Sequence, residues 1–74
     1  MKNVAKFIKA RRAKLKITQE ELAHRANVGL RFIRELESGK PTVRSDKVNM
    51  VLRLFGYTLG AVRVETEESA SEAY

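Results

Sequence analysis

Two arginines lie three residues apart in a short segment bounded by turn-forming sequences. Arg31 and Arg34 follow Gly29 and precede the Ser-Gly-Lys-Pro sequence at 38–41. A guanidinium group offers a planar fork of N–H donors that fits both the edge of a guanine base and the oxygens of a phosphate. We therefore expect Arg31 to read a guanine edge. Arg34, one turn further along a helix, can bind either a base or a phosphate.

The residues around these arginines complete a candidate base-reading surface. Leu30 or Phe32 can pack against the methyl group of a thymine, although Phe32 can equally be a core or dimer-interface residue. Gly29 offers only its backbone N–H group, and its lack of a side chain lets the backbone approach a partner closely. The predicted base-reading residues are Gly29, Leu30, Arg31, Phe32, Arg34 and Glu35.

Neither catalysis nor metal binding is indicated by the sequence. The chain has no cysteine, so it has neither thiolate ligands nor disulfides. Its single histidine, His24, has no second ligand close by and is interpreted as a surface residue. We find no nucleophile–base pair, no phosphate-cradling glycine loop and no carboxylate cluster that could hold a metal. The prediction is a protein without enzymatic activity, cofactor or metal.

The charge of the chain is positive and unevenly distributed. The formal net charge is +6, but residues 1–64 hold all 15 basic and only five of the nine acidic residues, a charge of +10. The last ten residues, ETEESASEAY, contain four glutamates and no base. A domain with this much positive charge is suited to binding a polyanion such as nucleic acid. The alternative is that the charge only improves solubility. We predict a folded domain over 1–64 and an acidic, disordered tail over 65–74.

The length of the chain favours a second copy as its partner. A chain of 74 residues buries only about 60% of its unfolded surface, and dimerisation is a common remedy. No segment approaches the roughly 18 apolar residues that a membrane span needs, so we expect no membrane partner. The basic N-terminus is not followed by the apolar core of a secretory signal, and we expect a cytoplasmic protein.

Two helices are predicted in the first third of the chain. Apolar residues recur at helical spacing over 3–15, with Val4, Phe7, Ile8 and Leu15 expected on the inner face. A second helix is predicted over 18–26. Thr18 and Glu21 have the spacing of a capping box at its start, and Asn27 can adopt the left-handed conformation that ends a helix.

Two further helices and a strand are predicted after this corner. The third helix covers 30–37, with Ile33 and Leu36 inward and Leu30 outward. The fourth covers about 45–55, with Gly56 as its C-cap. Apolar residues then alternate over 57–64, which predicts a strand that pairs with its copy in a homodimer, because one strand alone has no partner. A disordered extension is the alternative. Its predicted pairing residues are Thr58, Leu59, Gly60, Ala61, Val62, Arg63 and Val64.

The second and third helices are joined by a turn short enough to form a helix-turn-helix. A tight turn makes the third helix project from the body, so that it can enter a major groove about 12 Å wide. The second helix then lies across the DNA backbone, with the N–H groups of its first turn directed at phosphate.

The pattern resembles the lambda-repressor-like (Xre/Cro type) helix-turn-helix family over about residues 4–56. The sequence LESGK at 36–40 is typical of that family, and asparagine stands at 27 where the family usually has glycine. The resemblance implies an all-α, four-helix domain that binds a palindromic double-stranded DNA operator. The residues at the family's spacing are Gln19, Ala23, Asn27, Ile33 and Leu36.

The resemblance also implies roles for residues outside the third helix. An arginine at the position of Arg12 often pairs in this family with the glutamate at Glu37; two independently solvated charges are the alternative. Gln19 resembles the family's phosphate-binding glutamine, and the loop after the third helix also contacts the backbone. The predicted phosphate-binding residues are Thr18, Gln19, Lys40 and Arg44.

The end of the chain is similar to a narrower group, the HipB-type antitoxins and related y4mF-like regulators. The stretch that carries this likeness is GKPTVRSDKVNMVLRLFGYTLGAV. It implies a homodimer that represses its own operon and neutralises a HipA-like kinase toxin. A stand-alone Xre-type regulator without a toxin is one alternative. A basic RNA-binding module is another, although RNA binders usually present aromatic side chains for stacking.

Overall fold

The structure of the protein, a computed structural model, describes residues 2–61 and forms four α-helices within them. The predicted all-α architecture is confirmed, and each predicted helix is present. The fourth helix is two residues shorter than expected, because the chain turns over 54–56. The helices are α1 (Lys2–Leu15), α2 (Gln19–Ala26), α3 (Leu30–Glu37) and α4 (Ser45–Arg53).

The core lies where α3 packs against α1 and α2, and α4 packs against α2. One predicted core residue is wrong: Leu15 is 53% exposed. It is the last residue of α1 and borders an open cleft with Leu54 and Phe55 instead of facing the core. The fully buried large side chains are Ile8, Leu22, Ile33, Leu36, Val48 and Val51.

All four helices end in the same way. The residue that follows the last turn of each helix has a left-handed backbone. The N–H group of the residue after it donates a hydrogen bond to the carbonyl oxygen five residues earlier. The bond from Tyr57 N to Leu52 O, 3.0 Å long, is an example. Glycine adopts this conformation without strain, whereas other residues do so at a cost. The four residues are Lys16 (φ 57°), Asn27 (φ 58°), Gly39 (φ 83°) and Gly56 (φ 82°).

Lys16→Gly is expected to stabilise the protein by about 1 kcal/mol, because it removes a side chain from a left-handed position. For a domain of this size, that gain raises Tm by about 4–8 °C in a thermal melt. Lys14→Gly is the control, since it places glycine in the last turn of α1 and should destabilise by about 1 kcal/mol. Equal losses in both variants would contradict the left-handed backbone at residue 16.

The predicted strand over 57–64 is absent from its described part, residues 57–61. The side chain of Asn49 holds this segment: its Oδ1 accepts bonds from Leu59 N at 2.7 Å and from Thr58 Oγ1 at 3.0 Å. These bonds occupy the Leu59 N–H group, and the predicted pairing of residues 58–64 with a second copy stays a prediction. Val62, Arg63 and Val64, and the predicted tail over 65–74, lie outside the described residues. The homodimer stays a prediction.

Candidate nucleic-acid interface

A capping box fixes the start of α2. Thr18 Oγ1 accepts a bond from Glu21 N at 3.0 Å, and Thr18 N donates to Glu21 Oε1 at 2.8 Å. These bonds satisfy two donors at the helix start, and the bond from the Thr18 N–H holds the pKa of Glu21 below its usual value. Asn27 then ends α2 in the left-handed conformation, with its N–H bonded to His24 O, and Val28 packs against the core. Interactions at both ends of α2 therefore fix the turn between α2 and α3, and with it the orientation of α3.

The buried face of α3 determines which side chains point outward. Ile33 and Leu36 have no exposed surface and lie among residues from α1, α2 and α4. Arg31 and Arg34 lie on the other face, and the Arg31 side chain is 92% exposed. The two arginines singled out from the sequence therefore share one accessible surface.

Two predicted base-reading residues are partly in the core. Leu30 was expected to face outward, but it is half-buried and packs against the core cluster, because it lies three residues before the buried Ile33 and so on the same side of α3. Phe32 is also half-buried against the core. Lys47 Nζ lies 5.9 Å from the centroid of its ring, an α4 contact that the sequence did not reveal. Part of Phe32 remains accessible beside Arg31.

Glu35 contacts two residues that are predicted to bind DNA, Arg31 and Lys40. Its Oε2 atom lies 3.6 Å from Arg31 Nε and 3.4 Å from Lys40 Nζ. Ion pairs this exposed contribute about 0–1 kcal/mol, so a phosphate or a base edge can replace them. The glutamate thus holds both cations on the outer face of α3 without burying either.

Gly29 is not needed as a glycine by the fold itself. Its φ is −73°, which any residue can adopt, and a Cβ added there would meet nothing within 4 Å in the described part of the chain. The open space lies at the N-terminus of α3, where the backbone can come close to an outside partner.

The remaining predicted phosphate contacts are engaged within the protein. Gln19 Nε2 donates to Glu37 Oε1 at 3.0 Å. Arg44 binds Asp46 through two bonds, the shorter of them 2.7 Å from Nη2 to Oδ2. The bonds from Arg44 hold the pKa of Asp46 below its usual value. Both Arg44 and Asp46 are mostly exposed, so the guanidinium can exchange its partner for a phosphate.

Arg12 and Glu37 form the ion pair that the resemblance implied. Arg12 Nε lies 2.8 Å from Glu37 Oε2, and Arg12 Nη2 lies 2.9 Å from Oε1. Arg12 Nη1 also donates to Ile17 O at 3.1 Å. The Glu37 side chain is 1% exposed, so this pair ties the end of α3 to α1 from within the molecule.

Opposing effects set the pKa of Glu37. Burial raises this pKa. The bonds from Arg12 and Gln19 and the positive charges of Arg12 and Lys9 lower it by more than burial raises it, so the pKa lies below its usual value. The bond to Glu37 raises the pKa of Arg12. The pair is therefore fully charged at neutral pH and holds α3 in its position.

Residues 2–61 offer neither a metal site nor a membrane span. Within residues 2–61, no group of three or more His, Cys, Asp or Glu side chains could hold a metal ion. None of the described helices is both long and apolar enough to pass through a membrane. The candidate interface on α3 is the feature with a clear chemical role.

Comparison with known proteins agrees with this geometry. The Helix-turn-helix family matches residues 8–62. An uncharacterised HTH-type transcriptional regulator, y4mF, of Sinorhizobium fredii is 40% identical over 57 residues, which cover 77% of this chain and 75% of that protein. No solved structure matches the chain.

The chain therefore belongs to the helix-turn-helix family of DNA-binding transcriptional regulators. Its four helices have the lambda-repressor-like arrangement that the resemblance implied, with α2 and α3 as the two helices of the motif. Members of this family are generally not enzymes.

Proposed function

We propose that the protein is a cytoplasmic repressor that binds a specific, palindromic double-stranded DNA sequence as a homodimer. The observation that carries the proposal is the division of α3 into two faces. Ile33 and Leu36 anchor one face in the core, while Arg31 and Arg34 stand exposed on the other. A rigid helix with an accessible guanidinium face fits a major groove, where arginine binds guanine O6 and N7.

Each exposed α3 residue has a distinct task in this proposal. Arg31 leaves Glu35 and binds a guanine edge, while Glu35 accepts a bond from a cytosine amino group. Arg34 binds a base or a phosphate, and Leu30 and Phe32 offer their remaining exposed apolar surface to a thymine methyl group. Gly29 allows the backbone to come close to the DNA.

Phosphate contacts fix the register of α3 in the groove. Thr18 and Gln19 lie at the start of α2, and Lys40 and Arg44 lie in the segment between α3 and α4. These residues flank α3 on both sides along the chain, as backbone contacts do when they position a helix without reading sequence.

Selection of binding sequences from a random duplex pool tests this function. The full chain is expected to enrich one palindromic motif, and to bind it at least about 10³-fold more tightly than a scrambled duplex. Sedimentation of the complex should give two chains for each duplex. Failure to enrich any motif, or equal affinity for single-stranded RNA, would refute a sequence-specific repressor.

The alternative of an RNA-binding module has less support from the described aromatic residues. Phe7 packs edge-on against Phe55 and Tyr57, with ring centroids 6.4 Å and 4.7 Å apart. Arg11 Cζ lies 5.3 Å from the Phe7 centroid and 5.4 Å from that of Tyr57. These rings contact one another rather than forming a platform for unpaired bases beside α3.

The likeness of residues 39–62 to HipB-type antitoxins supports a finer proposal. In it, the protein also neutralises a HipA-like kinase toxin and represses the operon that encodes both. Purification from the native host followed by mass spectrometry tests this: a kinase should copurify in stoichiometric amount. DNA binding without a copurified kinase would instead identify a stand-alone Xre-type regulator.

A further inference from the structure

The first half of α1 carries three lysines on one face. Lys2, Lys6 and Lys9 are spaced four and three residues apart, which places them side by side on a helix, and all three are exposed. They border a cleft whose opposite wall is the end of α3 at 37–39. We call these three side chains the α1 lysine row.

The row joins two parts of the candidate interface. At one end, Lys2 Cγ lies 3.6 Å from where a Cβ of Gly39 would stand, and Gly39 immediately precedes Lys40. At the other end, the charge of Lys9 acts on the buried carboxylate that Gln19 also binds. The row therefore begins beside the residue that precedes Lys40 and ends at the cleft that holds Glu37, the carboxylate bound by Gln19.

Within residues 2–61, the fold gives Lys2 and Lys6 no compensating charge, whereas Lys9 is attracted by Glu37. Like charges four residues apart on a helix repel each other, and cations at a helix start oppose its dipole. The first turn of α1 has no acidic residue. The carboxylate in the cleft, Glu37, is only 3% exposed and is already bound by Arg12. Among residues 2–61, no ion pair includes a lysine of the row. An anionic partner from outside would remove this repulsion.

We propose that the α1 lysine row binds phosphates of the DNA backbone beside the half-site that α3 reads; this rests on the proposed function. From Lys2 to Lys9 the helix rises about 10 Å, enough to face about three successive phosphates of one strand. Lysine is a flexible point charge without the planar fork that reads a base edge. The row thus lengthens the footprint and adds affinity, whereas α3 selects the sequence.

The test compares two duplexes, the selected site alone and the same site with ten further base pairs on each side. Binding of the full chain and of Lys2→Gln/Lys6→Gln is measured by fluorescence anisotropy from 50 to 200 mM KCl. The bound homodimer then lacks four lysines, so on the long duplex the plot of log affinity against log salt should become shallower by about 3.6 in the variant. The advantage of the wild type should then grow about a hundredfold as the salt falls from 200 to 50 mM. On the short duplex, Lys2→Gln/Lys6→Gln should bind with the same affinity as a control variant that lacks two basic residues elsewhere.

Lys14→Gln/Arg53→Gln is the matched control, because it removes the same charge from the end of α1 and from α4. Its effect should be equal on both duplexes. The inference is overturned if the two variants lose equally, or if the loss in Lys2→Gln/Lys6→Gln does not depend on duplex length. Lys9 is retained in both because its charge acts on Glu37.

The same experiment separates this inference from the proposed function. Failure of the wild type to discriminate the selected site from a scrambled duplex refutes sequence-specific repression, yet the dependence on duplex length still reports on the row. Folding is checked by thermal melts. Neutralising Lys2 and Lys6 removes repulsion, so Tm of that variant should equal or exceed that of the wild type.

Discussion

Arg12→Met is expected to lower the free energy of unfolding by about 3–5 kcal/mol, because it leaves the Glu37 carboxylate charged, buried and without its main partner. The whole stability of a chain this long is about 4–11 kcal/mol, so the loss amounts to between about a quarter and all of it. The methyl end of methionine replaces part of the volume, so the loss reports on charge rather than on a cavity. Urea titration followed by circular dichroism measures it.

The partner variant and the double variant are the controls. Glu37→Leu should cost less, because the Arg12 side chain is 23% exposed and can turn its charge to solvent. Arg12→Met/Glu37→Leu should recover most of the loss, since an apolar pair of similar size often replaces a buried ion pair without destabilising the protein. A double variant as unstable as the sum of the single ones would show that the pair is not coupled.

The pH dependence of the free energy of unfolding tests the Arg12–Glu37 ion pair in a second way. The pKa of Glu37 is lowered by folding, so its contribution is complete above its unfolded pKa near 4.3 and is lost as the pH falls through the lower, folded value. In Arg12→Met the buried carboxyl is instead stabilised by protonation. The stability gap between the wild type and this variant should therefore be largest at neutral pH. It should begin to shrink above the unfolded pKa near 4.3, as the carboxyl of the variant is protonated, and should shrink further as the pH falls through the lower, folded pKa of the wild type. Glu21 and Asp46 also titrate there but are common to both proteins.

Arg31→Ala is expected to weaken binding to the selected duplex by about 1–3 kcal/mol and to relax the base preference at one position of each half-site. The reason is that its side chain is 92% exposed and, among residues 2–61, is held by a 3.6 Å contact with Glu35, so it is available to a guanine edge. Competition anisotropy against duplexes that vary at each position measures both effects.

Lys40→Ala is the matched control for Arg31→Ala. Both residues contact the same Glu35 carboxylate, but Lys40 lies after α3, in the segment that we propose contacts the DNA backbone. Its loss should weaken all sequences alike and reduce the salt slope by about one for each bound chain. Equal losses of Arg31→Ala on selected and scrambled duplexes would remove Arg31 from base reading.

The helices and the corner could be predicted from the sequence because their signals are local. Thr18 and Glu21 specify a helix start within four residues, and Asn27 specifies a helix end by its own backbone preference. The outward position of Arg31 and Arg34 follows from Ile33 and Leu36, since a helix that buries one face must expose the other.

The features that could not be predicted depend on which element lies opposite. Leu15 repeats at helical spacing, but it borders an open cleft at the end of α1, so it is exposed. Asn49 lies on the packed side of α4, where its carbonyl oxygen binds Leu59 N ten residues later. The contact of Lys47 with the Phe32 ring likewise joins α4 to α3. No local spacing reports such pairings.

The most direct test of the central claim, that the exposed face of α3 enters the DNA groove, is a titration of amide NMR signals with the selected duplex. The account predicts that the largest shifts fall on residues 29–35 and on Thr18 and Gln19, while the signals around Leu15 and Leu54 stay in place. Shifts confined to the α1–α4 end, with the α3 signals unchanged, would contradict it.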